Sequence, residues 1–188
     1  QLKYDYHNAK LALKAKLTGE DVSRLVIGCG RYDAAALLRG ERGMLSSRMG
    51  RAMAQAEKEA EGGDVRAAEL TLDRACFEEM SALAKETESD FLIGYVALQI
   101  DAINLRTLVR AQRMGASDEL LSAALLPGGH IPANQLKTAR GDRLAELTRG
   151  SALSSAGELA AATLGGSGSL TAFERACDDA LVRYLQRA

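Results

Sequence analysis

Two stretches of this chain carry the same order of polar and apolar residues, and together they limit what it can fold into. "DYHNAKLALKAK", residues 5–16, and "DAINLRTLVRAQ", residues 101–112, align at a fixed offset of 96 residues. Asp5 then falls on Asp101, Asn8 on Asn104, Ala15 on Ala111 and Gly19 on Gly115, while Lys10 and Lys14 fall on Arg106 and Arg110. Aliphatic residues recur at spacings of three and four in both copies, the period of an amphipathic helix. An aspartate and an asparagine on such a helix need hydrogen-bond partners if they are buried, because an unpaired carboxylate in a core is costly. Their recurrence points to a lock that orients the helix against its neighbours. A catalytic site seldom needs one copy per repeat.

Two further blocks repeat in the same order. "VIGCGRYDAAAL" (26–37) lies over "LLPGGHIPANQL" (125–136) at an offset of 99, with Gly30 on Gly129 and Leu37 on Leu136. "DRAC" (73–76) lies over "ERAC" (174–177) at an offset of 101. The repeating unit is therefore roughly a hundred residues long. Read by phase, the chain divides into an N-terminally incomplete unit (1–63), a complete one (64–163) and the start of a third (164–188). On this phase the last helix is expected to pack on the second unit, on a symmetry-related copy, or to fray, since Phe173, Leu181 and Tyr184 lack the partners of a complete third unit.

The fold class follows from periodicity and composition. With two prolines in 188 residues, 47% hydrophobic residues and only 4% aromatic ones, the chain favours helix, and Leu, Ala, Val and Ile must build its core. Helices are expected over 2–17, 33–39, 44–61, 64–85, 91–113, 117–126, 133–148 and from 170 to the end, with a short amphipathic segment at 21–27. Residues 91–113 are apolar around nearly the whole circumference and read as a central helix. Residues 150–169 are rich in Gly, Ser and Ala and read as mobile, at least over "GGSGS" (165–169). The fold class is all-α, built from helical repeats related by pseudo-symmetry.

Charge and motif content narrow the function. Lys and Arg number 24 against 25 Asp and Glu, which gives no general field for nucleic acid. Three scattered cysteines without a CxxC form neither a zinc site nor a disulfide scaffold. No charge-free apolar run reaches the ~18 residues a membrane span needs, and no signal peptide opens the sequence. "GCGRYD" lacks the third glycine of a dinucleotide fingerprint, and no Walker A Gly-Lys-Ser/Thr is present. Both it and "LPGGHI" read as turns needing positive φ. His7 and His130 stand at unrelated repeat positions and read as surface imidazoles. Cys76 and Cys177 read as small buried hydrophobes. No catalytic, cofactor or metal residue emerges. The residues singled out are the repeat motif (Asp5, Asn8, Gly30, Asp101, Asn104 and Gly129) and two basic stripes, Lys3/Lys10/Lys14 and Arg106/Arg110/Arg113, as candidate surfaces for an acidic partner.

The succession "DYHNAKLALKAK", "LDRACFEEM" (72–80), "FLIGYVALQIDAINLRTLVRAQRMG" (91–115) and "ALLPGGHI" (124–131) resembles the C subunits of the archaeal and bacterial A/V-type ATPases, the counterparts of the d subunits of the eukaryotic vacuolar ATPase. The similarity runs over essentially the whole chain. It implies a funnel-shaped protein of three similar domains on the cytoplasmic face of the membrane proteolipid ring, with the rotor shaft docked in the funnel. It further implies no nucleotide, no cofactor and no catalysis by such a protein alone: the expected role is to couple shaft and ring during ATP-driven proton or sodium transport. The sequence covers somewhat more than half of such a protein. A generic helical-repeat scaffold for other proteins is the alternative.

Overall fold

The computed structural model describes residues 1–187. Among them every regular element is helical, ten α-helices and one 3-10 turn. They form two compact units, Gln1–Met80 and Ser81–Ala188.

In the first unit, α1 (Leu2–Thr18) ends where Gly19 takes a left-handed conformation, φ 71°, and returns its N–H to the Ala15 carbonyl. Such a stop is cheap for glycine alone. The region expected as a short helix at 21–27 holds only a 3-10 turn, Ser23–Leu25. Asp33 caps α2 (Ala34–Leu38), and Ser46 caps α3 (Ser47–Glu61) by accepting from Met49 N–H. The expected start of α3 at Met44 is thus corrected to Ser47. The Ser46 hydroxyl satisfies an amide at the helix start, and the preceding residues turn away from the helix. Asp64 caps α4 (Val65–Glu86) through Ala67 N–H. The core joins Tyr6, Ala9 and Leu13 of α1, Leu37 of α2, Met49, Met53 and Ala56 of α3, and Leu72 and Cys76 of α4. Full burial of such large side chains is worth roughly 1.5–3 kcal/mol each.

The second unit is organised around α5 (Asp90–Arg113), which buries Leu98, Ala102, Leu105, Leu108 and Val109 in one continuous core. By length and composition α5 is apolar enough to cross a membrane. It is mostly buried against its neighbours here, as the central helix of a folded unit is. Leu92, near its start, is 40% exposed, so the apolar circumference is covered only further along. Around α5 lie α6 (Asp118–Ala124), α7 (Ala133–Thr138), α8 (Arg143–Thr148), α9 (Ser154–Leu164) and α10 (Leu170–Leu185). The last helix packs on α5 and α9, with Phe173, Cys177 and Ala180 in the core.

Two sequence expectations are corrected in this unit. The single helix expected over 133–148 is two short ones, because Gly141 takes φ 48° and Arg140 turns its guanidinium back onto the Lys137 and Ala139 carbonyls. The stretch 150–169, expected to be mobile, contains α9. Its small residues serve close packing: a side chain at Gly157 would collide with the Thr148 hydroxyl of α8. "GGSGS" closes α9 as a bonded turn in which Ser167 and Gly168 N–H both donate to the Ala162 carbonyl.

The division after Met80 falls beyond the phase boundary at 63/64. Side chains of α4 before that point pair with α1, as described next.

Candidate functional site

The repeated polar residues form the same hydrogen-bonded lock in each unit. Asn8, fully buried on α1, donates its amide to the Ile27 carbonyl at 2.8 Å and accepts Ile27 N–H at 3.0 Å. Asn104 on α5 does the same with Leu126, donating at 2.8 Å and accepting at 2.8 Å. An asparagine that exchanges both bonds with one residue's backbone substitutes for a strand-like pairing, leaving no orphan amide in the core. One turn away, Asp5 Oδ1 accepts from Arg31 N–H at 2.7 Å and Tyr32 N–H at 3.2 Å. Asp101 accepts from His130 N–H and Ile131 N–H, each at 3.0 Å. The loops entering these locks are "GCGRY" and "PGGHI".

The glycines are explained by this geometry. A Cβ at Gly30 would strike the Asp5 carboxylate, and one at Gly129 would strike that of Asp101. Neither has a positive φ. The expectation of left-handed turns at "GCG" is therefore corrected: Gly30 is there for close approach, not for backbone conformation. In "LPGGHI" it is Gly128, at φ 97°, that carries the left-handed residue.

The locks differ in what extends them. In the first unit Arg31 continues from Asp5 Oδ2 (2.9 Å from Nε) to Glu79 Oε1 on α4 (3.1 Å from Nη2), and the other Glu79 oxygen accepts the Tyr6 hydroxyl at 2.9 Å. Glu79 is only 4% exposed, so it is a buried carboxylate held by a cation and a phenol. Burial works against the Arg31 charge, but the bonds to Asp5 and Glu79 outweigh it and hold the guanidinium above its ordinary pKa. Burial, followed by the Glu79 bond, pushes the Tyr6 phenol well above its usual range. In the second unit His130 stands in place of Arg31, its Nδ1 3.0 Å from Asp101 Oδ2. Burial raises the Asp101 carboxyl, opposed by the Ile131 and His130 bonds. At the aligned positions of Tyr6 and Glu79 stand Ala102 and Ala180, both in the core. A charged closure in one unit is an apolar closure in the other.

The basic stripes are tied largely within their own units. Lys3 sits over the Phe77 ring, 5.4 Å from its centroid, and burial lowers its pKa. Lys10 pairs with Asp73 of α4 and Lys14 with Glu20. Arg106 donates to the Glu174 carbonyl at 2.8 Å and to Asp178 at 2.6 Å, and Arg110 pairs with the Glu174 carboxylate, all on α10. In each unit, then, the helix bearing the lock is strapped to the helix bearing Arg-Ala-Cys. Arg113 is exposed and forms no ion pair among the described residues. Cys76 and Cys177 lie buried on those strapped helices, their thiols pushed up to about 11 by burial, which makes them poor nucleophiles. His7 contacts the Leu25 carbonyl at 3.1 Å.

Sequence reading found the helix side of each lock and missed the loop side: Ile27, Arg31, Tyr32, Leu126, His130 and Ile131, together with Glu79. The aligned glycines were the available signal, since the residues that follow them are the ones the aspartates hold. His130 lies at the surface, as expected, and is also a partner of Asp101.

The arrangement orients and stiffens; it brings no nucleophile, base and oxyanion donor together. Among the described residues no cluster of three or more His, Cys, Asp or Glu is placed to hold a metal ion. No curated protein matches the chain at a significant level. The family described as ATP synthase (C/AC39) subunit matches over residues 1–188. With an all-helical architecture and a match along its whole length, the chain belongs to the ATP synthase (C/AC39) subunit family.

Proposed function

We propose that this chain is a non-catalytic central-stalk component of a rotary V/A-type ATPase, coupling the rotor shaft to the membrane proteolipid ring on the cytoplasmic face during ATP-driven proton or sodium transport. The observation that carries the reading is the buried lock in each unit, in a chain that belongs to this family. Torque transmission asks for bodies that do not yield. A helix held to its loop by an asparagine and an aspartate, and strapped to a second helix by ion pairs, resists sliding more than apolar packing alone would. Most of the basic residues in the two stripes already have internal carboxylates. Within the stripes, Arg113 and Lys3, neither paired with a carboxylate among the described residues, are left to meet an acidic partner.

The test is sedimentation velocity of the chain mixed with purified central-stalk proteins and with isolated proteolipid ring. A one-to-one complex with the shaft is expected. Failure to bind either shaft or ring would leave a helical scaffold with another client.

A further inference from the structure

In the first unit a groove of about 310 Å³ runs between α3 and α4. Its floor is made by Ala52 and Ala75, and its rim by Arg48, Arg51, Arg74 and Glu78. The side chains of Arg48 and Arg51 are exposed and form no hydrogen bond or ion pair with a described residue. This sets them apart from Arg31 and Arg42 of the same unit, each of which pairs with a carboxylate.

We propose that this groove binds an acidic helical segment of a partner protein, with glutamates or aspartates of that segment pairing with Arg48 and Arg51. The two arginines lie three residues apart on α3, nearly one turn, so carboxylates spaced by three or four on a partner helix meet both. Guanidinium groups suit this task because their planar donors take a carboxylate in two parallel bonds. The alanine floor lets a helix backbone approach closely. Glu78 gives the site a polarity: it repels a compact dianion but tolerates an extended segment whose uncharged or basic end lies beside it. The site is independent of the basic stripes and of the coupling role.

The test uses the full chain and a fluorescein-labelled helical peptide of about 20 residues, alanine-based with glutamates at alternating spacings of three and four, followed by fluorescence anisotropy. A glutamine analogue of the peptide is the neutral control. Saturable binding is expected for the glutamate peptide alone, weakened about ten-fold or more in R48A/R51A and unchanged in a charge-matched control, R143A/R149A. Because Arg48 and Arg51 make no internal hydrogen bond or ion pair with a described residue, the variant should melt with the parent, which circular dichroism checks. No peptide binding, or equal weakening in both double variants, overturns the proposal. So does binding of inorganic phosphate or phosphatidylserine vesicles that R48A/R51A abolishes while the peptide fails to bind, since the groove is then an anion or lipid site.

Discussion

The two units solve one packing problem with different chemistry. Each must hold a glycine-bearing loop against a buried helix, and each does so with an Asp and an Asn one turn apart. Beyond that shared contact they diverge. The first unit invests in an ionic chain, Asp5–Arg31–Glu79–Tyr6, that reaches from α1 through the loop to α4. The second ends its polar network at His130 and closes the aligned space with Ala102 and Ala180. The invariant part is what backbone amides demand; the variable part is what side chains can fill. Each solution is self-consistent because its members change together: Glu79 without an arginine would be a buried carboxylate without its cation.

The largest effect is expected where the shared contact is removed. Asp101→Ala strands two backbone N–H groups, and Asp5→Ala strands two and also strips Arg31 of a carboxylate. We expect losses of about 3–5 kcal/mol, larger for Asp5, measured by urea denaturation. Equal losses would erase the distinction between the units. Next come Gly30→Ala and Gly129→Ala, each pressing a methyl into the lock carboxylate, at a cost of about 1–3 kcal/mol. A neutral result at either would show that the approach is not close.

Smaller changes sharpen the contrast. Tyr6→Phe removes the hydroxyl bond to Glu79 and should cost about 1 kcal/mol, with Glu79 still held by Arg31. In the second unit the titrating group is Asp101, whose carboxyl is raised by burial. An acid raised in the folded state binds protons more readily there than when unfolded. Its contribution to stability is therefore fully present below the unfolded pKa and falls as pH rises through the folded one. His130→Arg places a permanent cation beside Asp101, as in the first unit, and should flatten that fall; its gain, at a half-exposed site, is at most about 1 kcal/mol. Denaturation midpoints across the acidic range check both. Least of all, Asp178→Ala, which frees Arg106 from its exposed partner, should cost about 0.5 kcal/mol or less.

What was legible in the sequence followed from periodic constraint. Asp5, Asn8, Asp101 and Asn104 stood out because polar residues recurred at one spacing inside apolar helices. Helix starts at Asp33 and Asp64 were legible because capping side chains act locally. The break between Thr138 and Arg143 was not, since no proline marks it: the chain turns at Gly141, with Arg140 on the Lys137 and Ala139 carbonyls and Gln112 of α5 holding the Ala139 carbonyl from outside. Helix α9 was hidden by its composition. Gly157 looks like flexibility in a string and is a contact surface in the fold, pressed against Thr148. The loop halves of the locks were hidden for a different reason: Arg31, Tyr32, His130 and Ile131 contribute backbone N–H groups, which any residue can supply, so their identities carry little signal.

Amide hydrogen exchange resolved to single residues tests the claim that each unit is pinned by its own lock. The amides of Arg31, Tyr32, His130 and Ile131 should exchange slowly in the parent protein, although all four lie in loops. In Asp101→Ala, His130 and Ile131 should lose protection while Arg31 and Tyr32 keep theirs, and Asp5→Ala should do the reverse. Rapid exchange at these amides in the parent, or protection that neither substitution moves, would contradict the account.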